Sequence, residues 1–153
     1  MIDRDGRIAV FTGKDCVDWC GSVQAPNVSV AGNMLAGPQV LQATADAFVA
    51  SAGRPLAERL IVALQAGEAA GGDKRGKQSA ALLIQGDEDR AELSLRVDDH
   101  ADPLPELQRL WAVSLQRFQP FLSCLPGRHD PVGELDRDRI EARIIRFHQE
   151  MNR

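Results

Sequence analysis

The sequence predicts an α+β fold built in layers, and two observations carry that prediction. Segments with strand character come in pairs, each followed by a pair of segments with helical periodicity, in the order strand, strand, helix, helix, strand, strand, helix, helix. Strict alternation of strand and helix would instead indicate a doubly wound parallel sheet. The two central helical segments also carry their large apolar residues on one side only, as helices that cover a sheet do.

Taken in order, Ile2, Asp3, Arg4, Asp5 and Gly6 read as a hairpin turn that enters a strand over residues 7–12. Asp and Gly supply the turn chemistry, while Ile8, Val10 and Phe11 are β-formers. Only Met1 and Ile2 precede that turn, so the chain is expected to open midway through a β-unit. Residues 14–26 read as irregular and hold Cys16, Trp19 and Cys20, and residues 27–31 alternate as a strand does. Pro38 opens a helix at a position where its missing N–H costs nothing, with Val40, Leu41, Thr44, Ala45 and Phe48 on one face. A second helix from Pro55 places Leu56, Leu60, Ile61 and Leu64 along one stripe and runs out at residues 67–72.

Residues 79–85 form a continuous apolar strand and residues 91–97 an alternating one, with a turn between them. Asp102 suits an N-cap and Pro103 a first helical turn, followed by Leu104, Leu107, Trp111, Leu115 and Phe118 at helical spacing. Pro120, Pro126, Gly127, Pro131 and Gly133 mark a linker over residues 119–135. A last helix starts at Asp136, with Ile140, Ile144, Phe147 and Met151 on one face. The expected organisation is therefore a domain over 1–118, a linker over 119–135 and a C-terminal helix over 136–153.

Composition narrows the function classes. A chain of 153 residues, 44% apolar and 26% charged, is ordinary for one globular domain with a core. Its net charge of −4 lacks the basic footprint of a nucleic-acid binder. No apolar run approaches the roughly 20 residues of a membrane span, and no signal-peptide pattern opens the chain. Cys16, Cys20 and Cys124 are too few and odd in number for a disulfide framework, so reduced thiols in a cytoplasmic protein are expected.

The most informative segment is Gly71, Gly72, Asp73, Lys74, Arg75, Gly76, Lys77, Gln78 and Ser79, which feeds an apolar strand. Its glycines and charges are costly to order, which points to a role beyond connection. Gly71 to Lys77 spells the start of a phosphate-binding P-loop, but Gln78 stands where magnesium binding needs Ser or Thr. The flanking order is also wrong, because a P-loop leads from strand to helix and presents the helix N-terminus to phosphate. Cys16 and Cys20 with Asp15 and Asp18 invite a zinc site, yet His100, His129 and His148 are scattered, so two half-buried thiols beside Trp19 are the simpler reading. Asp98, Asp99 and His100 suit a metal or proton-transfer site, or, more simply, a polar strand end beside a helix cap. No strand-to-helix elbow surrounds Ser79, which argues against a serine triad there.

These pieces together resemble a known family. The run from Gly71 to Leu83 is similar to the signature of an uncharacterised family of the N-terminal nucleophile (Ntn) hydrolase superfamily, domain of unknown function 1028. Further matching pieces follow in the expected order: Gly6 to Gly13, Cys16 to Trp19, Gly32 to Gly37, Pro55 to Leu60, and Leu95 to His100 with Asp102 and Pro103. The resemblance spans about residues 3–115 and is more specific than the glycine loop alone.

It implies a four-layer αββα sandwich and hydrolysis of an amide bond by the first residue of a mature chain, Thr, Ser or Cys, with no cofactor. Met1 and Ile2 are not such nucleophiles, so the family's N-terminal strands and nucleophile are expected to be missing here. The resemblance then implies a small amide substrate, with Asp73, Arg75, Lys77, Asp99 and His100 in substrate binding. Asn33, Gln78 and Ser79 are candidates for the oxyanion or pocket wall. Exposed sheet edges imply a homo-oligomer or association with the missing segment. The alternative is a non-catalytic binding or scaffold protein that kept the sandwich.

Overall fold

The computed structural model describes residues 1–151. The expected α+β class is what the chain adopts: the described residues hold two antiparallel two-stranded sheets, four long helices and one short one. They form two compact units, Met1–Ser79 with Asp99–Leu104, and Ala80–Asp98 with the chain from Pro105 onward.

In the first unit, β1 (Gly21–Ala25) and β2 (Val28–Gly32) pair from Gly21 opposite Gly32 to Ala25 opposite Val28. Asn27 makes the turn between them at φ 60, a left-handed geometry that Asn tolerates. β1 corrects the sequence reading, which left these residues irregular: Val23 is the only β-branched residue in Gly-Ser-Val-Gln-Ala, and pairing with β2 makes the strand. The strand expected over residues 7–12 is absent. The turn at Asp3–Gly6 forms, with Gly6 at φ 78, but pairing stops at the Ile2–Ile8 bridge and the Met1–Ala9 bonds. Phe11 is left 93% exposed.

Helix α1 (Pro38–Ala50) packs on both strands and on α2 (Leu56–Ala69). Its buried residues are Val40, Leu41, Thr44, Ala45 and Phe48, the face read from the sequence. The stripe expected on α2 is different. Leu56 and Leu64 are 45% and 39% exposed, while Ala57, Ile61, Ala63 and Gly67 are buried. The helices meet through small residues: a Cβ on Gly67 would collide with Thr44 Oγ1, which is itself bonded to the Val40 carbonyl at 2.8 Å. Arg59 lies over the Phe48 ring at 3.9 Å and donates to the Phe48 carbonyl.

The second unit holds β3 (Ala80–Gln85) and β4 (Ala91–Val97), paired from Ala80 opposite Val97 to Ile84 opposite Leu93, with a register shift at Gln85. Leu82, Leu93 and Val97 are buried on one face, whereas Leu83 on the other is 66% exposed, so only one face of this strand is covered. Helix α3 (Pro103–Gln116) buries Leu107, Trp111 and Ser114. Residues 119–135 include most of α4 (Phe118–Phe121) and a 3-10 turn, Leu122–Cys124, with Pro120 and Cys124 buried. Helix α5 (Arg137–Met151) packs against α4, buries Ile144, and starts where the Asp136 carboxylate accepts from the Asp138 and Arg139 amides. Among the described residues no helix is long and apolar enough to cross a membrane.

Candidate functional site

The charged loop runs from α2 to β3, so helix precedes it and strand follows, the reverse of a phosphate-binding loop. Its first turn depends on two glycines with left-handed backbones. Gly71 has φ 125, and a Cβ there would sit 2.7 Å from Ala36 Cβ. Gly72, at φ 53 and buried, would drive a Cβ into the Glu68 carboxylate. This close approach folds the loop back along the segment that joins β2 to α1.

Backbone bonds then tie three separated stretches together. Met34 and Leu35 donate to the carbonyls of Val17 and Trp19 at 3.1 and 3.0 Å. On their other side, Ala36 donates to Gly72 at 3.0 Å and Lys74 to Met34 at 2.9 Å, with Leu35 and Asp73 bridged antiparallel. Met34 makes the bend out of β2 at φ 59. The Lys74 ammonium reaches across to the Asp18 carbonyl. Residues 17–19, 34–36 and 72–74 thus form one hydrogen-bonded platform, although they are far apart in sequence.

Beyond the platform a cleft of about 580 Å³ opens within the first unit. Asp73 and residues 75–79 form much of its wall, with Glu68 from α2 and Pro103 and Leu104 at the start of α3. Asp73 takes the Arg75 guanidinium in a two-pronged pair, Nε to Oδ1 at 3.0 Å and Nη2 to Oδ2 at 2.6 Å, and the Arg75 amide at 2.8 Å. These bonds hold the Asp73 carboxyl down from 3.8 to about 2 and raise Arg75 above its usual value. Lys77 sits between Asp102 at 2.9 Å and Glu68 at 3.3 Å. Hydrogen bonds to both carboxylates push the Lys77 ammonium up, and the bond from Lys77 pulls the Asp102 carboxyl down.

Gln78 Nε2 donates to Asp99 Oδ1 at 3.1 Å, while the Gln78 carbonyl accepts the His100 amide at 2.9 Å. His100 Nδ1 accepts the Asp102 amide at 2.9 Å.

Of the residues singled out from sequence, Asp73, Arg75, Lys77, Gln78 and Ser79 therefore share one cleft wall. Asp99 and His100 do not line the cleft but bond to Gln78, Asp99 to its side-chain amide and His100 to its backbone carbonyl. Asn33 is exposed beside Met34 and is not among the residues that line the cleft. Asp98 pairs with Arg96 at 2.6 Å and Asp99 with Gln78, so the Asp98, Asp99 and His100 carboxylates and ring are spent on different neighbours. Among the described residues no group of three or more His, Cys, Asp or Glu is placed to hold a metal ion. Cys16 is exposed and Cys20 half-buried.

Sequence reasoning missed the partners of Lys77. Glu68 lies nine residues before Lys77 with no motif to link them, and Asp102 already has a sufficient role as a helix cap. The Lys74 link to a backbone carbonyl leaves no sequence signal at all. The chemical consequence is that both cations of the wall are already neutralised. A ligand carboxylate would meet cations that are already paired and would compete with Asp73 for Arg75, or with Glu68 and Asp102 for Lys77.

The chain's relationships bear on the same residues. Residues 1–107 match the model of a family of unknown function, DUF1028. The chain is also similar to a Silicibacter pomeroyi protein whose crystal structure carries the DUF1028 designation. The identity is 33% and the TM-score 0.75, over 88% of this chain and 58% of that one. The chain thus spans less than two thirds of that protein's length. No curated protein matches it.

Proposed function

This chain belongs to the DUF1028 family, and from that membership we propose that it carries the pocket side of an amide-hydrolysing site. One observation supports the reading above the others. Three of the stretches that carry the family resemblance, around residues 16–19, 32–37 and 71–79, are joined into one platform at the edge of one cleft. A run of matching pieces that served only the core would have no reason to converge on an exposed, charged wall.

In this reading the substrate is a small amide, and the Ntn-type αββα layering belongs to the same proposal. The nucleophile, a Thr, Ser or Cys side chain, comes from outside the residues of the wall, from a preceding segment or a partner chain. The Gln78 side-chain amide gives one N–H to Asp99, while its backbone carbonyl accepts the His100 amide, and the second side-chain N–H stabilises the developing oxyanion. Arg75 and Lys77 shape the wall from within their carboxylate pairs.

The test is a hydrolysis assay on the product of the native gene, including any in-frame upstream segment, against a panel of small acyl amides read by mass spectrometry. Turnover is expected, and Gln78→Ala should lower kcat by about 100-fold, the usual effect of losing one oxyanion donor. Turnover that Gln78→Ala leaves unchanged overturns the role of the wall. Binding of amides without any turnover would favour the non-catalytic reading.

A further inference from the structure

The three residues that hold the platform from one side, Val17, Asp18 and Trp19, are bracketed by two thiols. Every one of them gives its carbonyl to the site: Val17 to the Met34 amide, Trp19 to the Leu35 amide and Asp18 to the Lys74 ammonium. Cys16 precedes them and is exposed; Cys20 follows and is half-buried. The segment is folded back on itself, because Cys20 Sγ lies 4.0 Å from the Cys16 carbonyl oxygen. An extended chain would place residues four apart about 13 Å from each other.

We propose that Cys16 and Cys20 are an oxidation site at which a hydroperoxide forms an intramolecular disulfide that loosens the platform. Exposed Cys16 reacts first. Its thiolate attacks one oxygen of the peroxide, the O–O bond breaks, and the leaving hydroxide takes a proton to become water (or an alcohol, from an alkyl hydroperoxide). The Cys20 thiolate then attacks the sulfenic sulfur of Cys16, the S–S bond forms, and the sulfenic oxygen leaves as water. The two thiols together lose two electrons and the peroxide gains them.

The coupling to the site comes from where the sulfurs point. In the reduced chain Cys20 Sγ is turned toward the Cys16 carbonyl, while Cys16 Sγ lies beside Gly13, 3.7 Å from where a Cβ there would be. A disulfide needs both sulfurs turned toward each other and its two Cα atoms within about 4.4–6.8 Å. Closing that ring rotates the peptide groups between the cysteines, and these are the groups whose carbonyls hold Met34, Leu35 and Lys74. Cys124 lies buried in the other unit and serves as an internal control.

The full chain, oxidised with hydrogen peroxide and then alkylated, provides the test. No trypsin site separates Cys16 from Cys20, so the disulfide reads as loss of two hydrogens and of both alkylations in one peptide. Amide hydrogen exchange is measured on the same samples. Exchange at Met34 and Leu35 is expected to accelerate by about tenfold or more on oxidation, with α1 core amides unchanged. Cys20→Ser should abolish both the disulfide and the acceleration. Over-oxidation or intermolecular disulfides without the internal bond would overturn the proposal. So would an internal disulfide that leaves Met34 and Leu35 exchange as it was. Neither readout requires a substrate, so the result stands apart from the hydrolase reading.

Discussion

The α1–α2 pair and the charged platform belong to the same unit but are held by different forces. The helices bury Leu41, Ala45, Phe48, Ile61 and Gly67, and they touch where Gly67 meets Thr44 and where Arg59 covers the Phe48 ring. The platform is built from backbone hydrogen bonds and ion pairs whose side chains are largely exposed, as with Arg75 at 67%. Exposed ion pairs contribute little to stability, whereas buried apolar contacts contribute most of it. Substitutions in the helix pair should therefore unfold the unit, and substitutions in the loop should change its local geometry while the unit stays folded.

The largest expected effect is at Phe48. It is buried between the helices with the Arg59 guanidinium over its ring. Phe48→Ala should cost about 3–5 kcal/mol through the lost burial and the cavity left behind, read as a lower denaturant midpoint. A loss as small as that of an exposed substitution would mean that the helix pair is not the main support of this unit.

Gly67 tests the closeness of the contact. Gly67→Ala puts a methyl against Thr44 Oγ1, which is fixed by its bond to Val40, and should cost about 1–3 kcal/mol by overpacking. Removing the opposing hydroxyl should recover part of that loss. In a double-mutant cycle, Thr44→Ala with Gly67→Ala is expected to be more stable than the sum of the single losses. Strict additivity of the two would show that the helices are not in contact there.

How legible these features were in the sequence follows from the same contrast. The buried face of α1 could be read directly, since Val40, Leu41, Thr44, Ala45 and Phe48 repeat at helical spacing and all are buried. On α2 the large residues misled: Leu56 and Leu64 are exposed, while the small residues Ala57, Ala63 and Gly67 are buried, Gly67 directly against Thr44 of α1. Periodicity weighs large apolar residues, and a contact made of small ones is weak in it. β1 was missed for a related reason, because its pairing with β2, and not its own composition, makes it a strand. At the site the residue types were visible, but their partners were not. That Lys77 lies between Glu68 and Asp102, and that Asp18 gives a carbonyl to Lys74, are facts of tertiary folding.

The smallest effect, and the most local, concerns the Asp73–Arg75 pair. The guanidinium and the Arg75 amide hold the Asp73 carboxyl at about 2, below its usual 3.8. The sign follows from that depression: the pair's contribution is fully present above the unfolded value and is lost as pH falls toward 2. A carboxyl carbon NMR titration should therefore place the Asp73 midpoint near 2. Arg75→Ala removes the side-chain bonds and the charge but keeps the backbone amide. The midpoint should then rise toward, yet stay below, that of an unpaired aspartate, because the residue-75 amide still donates to the carboxylate. The denaturant midpoint of the unit should hardly move, since the pair is exposed. If Arg75→Ala instead destabilised the unit as strongly as Phe48→Ala, the division between a packed support and a separately adjustable loop would fail.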